Sequence, residues 1–322
     1  MNLLGLNEPS EHQETDRTKS LVIGATGLVG GYIVERLVRS GQRPLALSRS
    51  PQDRTGIDWL RGDLENPETF KFPPFTTLFC TANAALFARA LPYLFNPSLK
   101  RIVVFSSTSV LTKIDSEVAS ERATLTKLAE AERNIASVCA QAGIEWTILR
   151  PTLIYAEGRD RNITPLSTLI RRFGFMPLVG GARGLRQPVH AEDLAIGAIS
   201  AASSAAAANQ IYSLPGGETL TYGEMIGRIF DGMRLPRRTL SIPPLLWRAG
   251  FVVAKPLFPS ANAAMGIRMM KDMAFDSTPA VRDFGWKPRG FFPVFDQGQF
   301  AGRCPANEQE NTSRQIPPSS DR

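Results

Sequence analysis

One short segment constrains the fold more than any other. Leu21-Val22-Ile23 is an apolar run that ends at Gly24, and an amphipathic helical pattern opens near Gly27, so glycines 24, 27 and 30 fall on a strand-to-helix turn. Glycine lets the main chain turn sharply there and lie close to a pyrophosphate, whose charge is met by free amides at the helix N-terminus. Gly24, Ala25, Thr26, Gly27, Leu28, Val29 and Gly30 are therefore candidate phosphate-cradling residues. A glycine-rich turn without a ligand is the alternative, but the strand before the turn and the helix after it are the context a dinucleotide-binding turn requires.

The same alternation continues. Ser20–Ile23, Pro44–Leu47, Thr77–Cys80, Arg101–Phe105 and Trp146–Leu149 read as strands, and Gly27–Ser40 and Ser116–Ala142 read as helices. Strands separated by helices pair in parallel through crossovers, which implies an α/β fold with a doubly wound parallel sheet covered on both faces. From about residue 157 glycine, proline and arginine become dense and Gln210–Leu214 reads as a lone strand. Thr221 followed by Glu224 is a capping box that opens a helix through about Phe230. The expected organisation is a flexible lead-in (1–18), a dinucleotide-binding domain (19–156), a smaller C-terminal substrate domain with insertions returning to the sheet (157–302) and a disordered tail (303–322).

Composition removes several other classes. Cys80, Cys139 and Cys304 are too scattered for a disulfide framework or a zinc site, and His12 and His190 are too few for a histidine metal centre, so no metal is expected. Residues 21–300 hold 32 basic and 23 acidic side chains, an excess of +9 that suits a phosphorylated small molecule or an anionic surface. Nucleic acid is disfavoured, because no run of basic residues interleaves with aromatics. The first twenty residues lack the basic-then-apolar order of a signal peptide, and cytoplasmic location is the expectation. Pro243–Pro259 is apolar but interrupted by Arg248 and Lys255, open to reading as a peripheral membrane helix or as a buried or lid helix.

Taken in chain order, the motifs resemble the extended and atypical branches of the short-chain dehydrogenase/reductase superfamily, whose members include nucleotide-sugar epimerases, dehydratases and reductases. The carriers of the resemblance are Gly24-x-x-Gly27-x-x-Gly30, Arg61-Gly62-Asp63-Leu64, Val103-Val104-Phe105-Ser106-Ser107-Thr108-Ser109, Leu149-Arg150-Pro151-Thr152-Leu153-Ile154-Tyr155 and Arg186-Gln187-Pro188-Val189-His190-Ala191-Glu192-Asp193-Leu194-Ala195, spread over residues 20–295. The resemblance implies a Rossmann-like fold and a nicotinamide coenzyme. The coenzyme contacts expected are the glycine turn, Ser48, Arg49, Asp63 and Leu64 on the adenine side, and Thr81, Ala82, Ser106, Pro151 and Ile154 at later strand ends. It also implies a homodimer formed through Ser116–Ala142.

The second strand ends in Ser48-Arg49-Ser50 with no carboxylate before Asp53. An acidic residue there would accept a ribose 2′-hydroxyl, whereas Arg49 offers a planar fork to a 2′-phosphate, so NADP(H) is favoured over NAD(H). A solvated loop arginine is the bland alternative.

The superfamily moves its proton with a Ser/Thr and a Tyr-x-x-x-Lys pair, and here the chain departs from the pattern. None of Tyr32, Tyr93, Tyr155, Tyr212 and Tyr222 has a lysine four residues later. If Lys127 is the family lysine, Ala123 stands at the tyrosine position. If Ala131-Glu132 is matched to the family's helix glutamate, Thr124 and Leu128 fill the two positions. Three readings stay open, of which the first, an NAD(P)-dependent oxidoreductase or epimerase acting by hydride transfer, is the expectation: hydride chemistry with another proton carrier (Lys127, Lys113, Tyr155 or the substrate) and Ser107 or Thr108 polarising a carbonyl; coenzyme binding without turnover, in a subunit or redox sensor that meets a partner complex or membrane; or a reaction needing no tyrosine. Lys127 and Glu132 also read as charges on a solvated helix face.

On the substrate side, Asn162, Arg183 and Arg186 are candidates for holding the phosphates of a nucleotide-sugar or lipid-linked substrate, since guanidinium donates paired hydrogen bonds to phosphate; an ion-pair role for Arg186 is the alternative. Asp193 is expected to cap the Ala-rich helix from Leu194, and His190 to pack at the domain junction.

Overall fold

The computed structural model describes residues 19–112, 119–247 and 263–295. Lys113, the stretch 248–259 of the apolar segment, the lead-in and the tail lie outside the described residues.

Seven parallel strands form the main sheet: β1 (Ser20–Ile23), β2 (Leu45–Ser48), β3 (Asp58–Arg61), β4 (Thr77–Cys80), β5 (Arg101–Phe105), β6 (Glu145–Pro151) and β11 (Gln210–Leu214). Their spatial order is β3-β2-β1-β4-β5-β6-β11. The order reverses between β1 and β4, which opens a crevice at the carboxyl ends of those strands. Because the sheet is covered on both faces, its strands read as continuous apolar runs, and side chains sort by parity. Val22, Ala46, Phe79, Val103, Leu149 and Tyr212 enter one core with α1 (Leu28–Arg39) and α6 (Ala191–Ser203). Leu21, Ile23, Leu45, Leu47, Leu78, Cys80, Ile102 and Val104 enter the other, against α2 (Ala84–Ala90) and α4 (Ala119–Gln141).

Gln210–Leu214 is not a lone strand. It pairs in parallel with β6 from Gln210↔Thr147 to Leu214↔Pro151 and closes that edge of the main sheet. Arg101, 4% exposed, anchors the return: its guanidinium donates to Glu145 (2.8 Å) and to the carbonyls of Ala201 (2.8 Å) and Ser204 (2.9 Å), where the negative end of α6 favours a cation.

The remaining elements form a second layer around a third core that includes Tyr155, Ile170, Met225, Phe230 and Phe291. It holds α5 (Ile163–Phe173), α7 (Tyr222–Gly232) and three two-stranded ladders. The ladders join β7 (Ile154–Tyr155) to β10 (Val189–His190), β9 (Leu185–Arg186) to β12 (Leu220–Thr221), and β8 (Met176–Val179) to β13 (Thr239–Ile242). The capping box read from the sequence is present: Thr221 Oγ1 accepts from the Glu224 N–H, and Glu224 accepts from the Thr221 N–H. The cap of α6 differs from the expectation. The helix starts at Ala191, and His190 Nδ1 accepts from the Glu192 N–H (3.2 Å). Asp193, one turn in, instead holds Arg289 through its N–H and Nε, both at 2.9 Å. No helix among the described residues is long and apolar enough to cross a membrane.

Candidate functional site

The glycine turn sits at the mouth of the crevice. Gly24 has φ +83°, a left-handed conformation, and a Cβ there would lie 2.5 Å from Thr81 Oγ1. A Cβ on Gly30 would overlap the Gly24 carbonyl. The turn is closed by Gly27 N–H donating to Gly24 O (2.8 Å), and Thr81 Oγ1 reaches the carbonyls of Ile23 (3.2 Å) and Gly24 (3.1 Å). The α1 N-cap is Gly27, which carries no capping side chain, and the first turn has no acidic residue. The N–H groups of Leu28, Val29 and Gly30 consequently have no acceptor among the described residues. This uncompensated positive end is built for an anion.

A groove of about 280 Å³ runs from that turn along the ends of β1, β2 and β3. It gathers the sequence candidates Gly24, Thr26, Ser48, Arg49, Asp63, Leu64 and Ala82, and adds Glu65 and Leu86. Asp63 is fixed by its carboxylate accepting the Glu65 N–H at 3.1 Å. Arg49 lines the groove and has no partner among the described residues. On the other side of the crevice, Ser106 Oγ at the end of β5 is buried with no hydrogen-bond partner among the described residues. A buried hydroxyl in that condition is costly and calls for a ligand group or a water. The groove, the uncapped helix and this hydroxyl fit a dinucleotide. Pro151 Oends β6 as an acceptor for Thr108, and Ile154 O accepts from Asn162 Nδ2 (2.7 Å), so both supply main chain rather than side-chain chemistry.

The residues proposed for proton or carbonyl chemistry are less well placed. Ser107 Oγ accepts from the Ser109 N–H (3.1 Å), a local turn bond. Thr108 is buried and donates to Pro151 O at 3.0 Å. Lys127 is exposed on α4, as are Ala123 and Thr124. Glu132, read as a solvated-face charge, is instead 3% exposed and takes a two-pronged hydrogen bond from Arg150 (3.0 and 2.5 Å) across to β6. Tyr155 lies in the third core with its ring against His190 and Phe291, and burial pushes its phenol further up from the usual value. It is a poor base at neutral pH.

The substrate-side candidates separate. Arg183 is exposed. Asn162 is tied to Ile154 O, while its neighbour Asp160, not singled out from the sequence, caps α5 by accepting from the N–H groups of Asn162 (2.7 Å), Ile163 (2.5 Å) and Thr164 (3.2 Å). Arg186 must be corrected. It is 4% exposed, its ring neighbour is Tyr222, and its guanidinium donates to the carbonyls of Leu185 (2.7 Å), Lys271 (2.7 Å) and Arg268 (2.5 Å). A guanidinium committed to three carbonyls does not clamp a diphosphate. Burial also draws its pKa down, countered by Tyr222 and Asp272. The turn it holds is latched further, since Arg268 pairs with Glu121 of α4. His190 does pack at the layer junction, between Tyr32 and Tyr155, with Nε2 3.5 Å from Glu157. Burial raises the Glu157 pKa, but the hydrogen bonds from His190 and the main chain outweigh it and leave the carboxyl below its usual range.

No protein-family model matches the chain. It is 26% identical over 266 residues to NADH dehydrogenase (ubiquinone) 1 alpha subcomplex subunit 9, mitochondrial, of Arabidopsis thaliana, covering 74% of this chain and 65% of that protein. The chain thus spans just under two thirds of that relative's length. It is 23% identical over 159 residues to the UDP-glucose 4-epimerase of Vibrio cholerae, covering 49% of this chain and 47% of the epimerase. Among solved structures, UDP-glucuronic acid 4-epimerase from Bacillus cereus in complex with UDP-glucuronic acid and NAD superposes with a TM-score of 0.65 at 12% identity, over 85% of this chain and 95% of the epimerase. The chain has the fold of the NAD-dependent epimerases and dehydratases, the extended short-chain dehydrogenases/reductases that its motifs resemble.

Proposed function

We propose that this chain binds a nicotinamide dinucleotide in the crevice between β1 and β4 and keeps it as a bound ligand, without the tyrosine-dependent proton transfer of the superfamily, as a coenzyme-carrying subunit. One observation carries the binding: an uncapped α1 N-terminus, with three unaccepted N–H groups, opens into the groove that holds Arg49 and Asp63. Leu28, Val29 and Gly30 would hold the pyrophosphate, Asp63 and Leu64 the adenine side, and Ser106 the far side of the crevice. Arg49, free in the groove, supports a preference for a ribose 2′-phosphate, hence NADP(H) over NAD(H). When bound, the coenzyme supplies a hydride donor or acceptor; this chain's own residues supply binding and orientation.

Among the described residues, the candidates for carrying the proton are poorly placed, which argues for retention over turnover. Ala123 and Thr124 stand exposed where the phenol would be, Lys127 points to solvent, and Arg186 is withdrawn into the protein. The NADH dehydrogenase subunit among the relatives agrees with a subunit role. A second reading, oxidoreduction or epimerisation of a phosphorylated substrate, is favoured by one specific observation, the unpartnered hydroxyl of Ser106 beside Ser107 and Thr108 at the strand end.

The test is a calorimetric titration of the full chain with all four coenzyme forms, together with nicotinamide-band absorbance over a panel of nucleotide sugars. Coenzyme binding with no absorbance change is expected. Turnover that falls on Ser106→Ala would replace the first reading with the second, and failure to bind any form would sink both.

A further inference from the structure

We propose that the second layer carries a docking surface for an anionic lipid bilayer, on the strip formed by the end of α5 and the β8–β13 ladder. The proposal is independent of what the crevice holds.

Two chain segments meet there. Residues 171–175 and 234–241 are exposed without a break, which is unusual for a stretch rich in phenylalanine and leucine. Phe173 is 48% exposed, Phe175 42% and Leu240 55%. The ladder brings them together: Met176 N–H donates to Arg238 O (2.9 Å), so Phe175 lies beside Arg238, and Leu240 follows two residues along β13. Leu245 and Leu246, exposed by 80% and 63%, continue the apolar series past the strand.

The charges between these side chains have one sign. Arg172 lies over the Phe173 ring at 5.4 Å, and Arg234 and Arg238 are exposed with no carboxylate partner among the described residues. Asp231, the acid nearest in sequence to residues 234–241 among the described residues, is already paired with Arg237. Apolar side chains set singly between arginines suit a lipid boundary better than a preformed protein pocket. The rings reach the acyl region, while the guanidinium groups remain level with the phosphates. Charge complementarity therefore selects an anionic bilayer as the occupant.

The full chain is sedimented with phosphatidylcholine vesicles, with and without phosphatidylglycerol. It is expected to pellet with the anionic vesicles only, and less so as salt rises. Arg172→Ala with Arg238→Ala should weaken partitioning by about 25-fold, at about five-fold per basic residue at such a surface. Phe173→Ser with Phe175→Ser should also release the protein, although the charge is unchanged. Unaltered thermal melting shows that each variant is folded, and the exposed arginine pair stands as a test by itself if the phenylalanine pair is not. The proposal is overturned if the wild type stays in solution with both vesicle types or pellets equally with both. It is also overturned if the variants pellet like the wild type, or if the strip supports only self-association without vesicles.

Discussion

The crevice at the end of β1 and the junction around Arg186 are both rich in polar groups, yet they differ in what those groups face. At the crevice the N–H groups of Leu28, Val29 and Gly30, the Arg49 side chain and Ser106 Oγ have no partner among the described residues. At the junction Arg186, Asp160, Asp193 and Arg289 have theirs filled by main chain, by each other or by neighbouring side chains such as Thr164 and Glu192. Residue type alone would rank the arginine-rich junction as the better anion site. Satisfaction of hydrogen bonds reverses that ranking, because a buried group already paired loses a partner when it turns to a ligand.

The strongest way to break this contrast is at the turn. Gly30→Ala would force a methyl group onto the Gly24 carbonyl and should cost about 1,000-fold in coenzyme affinity, about 4 kcal/mol, read by calorimetry. Next, Arg186→Met strands three carbonyls and should lower the unfolding free energy by about 3 kcal/mol in denaturant titration, with coenzyme affinity unaltered. If that variant instead kept its stability and lost affinity for a nucleoside diphosphate, the junction would be a binding site after all. Arg49→Ala should sharpen the picture of the groove, weakening NADP(H) about 10-fold while sparing NAD(H), as one charged hydrogen-bonding group is removed.

A smaller effect is expected with pH. Hydrogen bonds from Arg289 and Arg36 hold the Glu192 carboxyl below its usual range, against a lesser effect of burial. Its contribution to stability is therefore present above the unfolded value of about 4.3 and is lost as pH falls through the lower folded value. Glu192→Gln should flatten that acid limb in thermal melts taken across the range. Smallest of all, Lys127→Ala should change neither melting nor coenzyme affinity; a clear loss would restore a role for α4 in the chemistry.

What could be read from the chain was local. The glycine turn, the β5 end at Ser106–Ser109 and the Thr221 capping box each lie within a dozen residues, so their physics is written in adjacent letters. Arg186 was misread because its acceptors lie 82 and 85 residues further on, at Arg268 and Lys271. Glu132 shares the inward face of its helix with Leu125, Ile135 and Cys139, and a carboxylate there reads as solvated only because its partner, Arg150, arrives on a neighbouring strand. Gln210–Leu214 looked isolated because a parallel neighbour is never adjacent in sequence; its partner begins 63 residues earlier. His190 displaced Asp193 as the helix cap, since a ring nitrogen can accept the same N–H as a carboxylate.

The pairing of β11 with β6 has a practical consequence. A chain shortened to end at residue 156 would lack that strand and leave five residues of β6, Thr147 to Pro151, as a bare apolar edge. Such an edge is a template for a second chain, so the nucleotide half expressed by itself should aggregate. Severing the molecule at the apparent seam should therefore yield no autonomous unit, because the later sequence completes the earlier sheet.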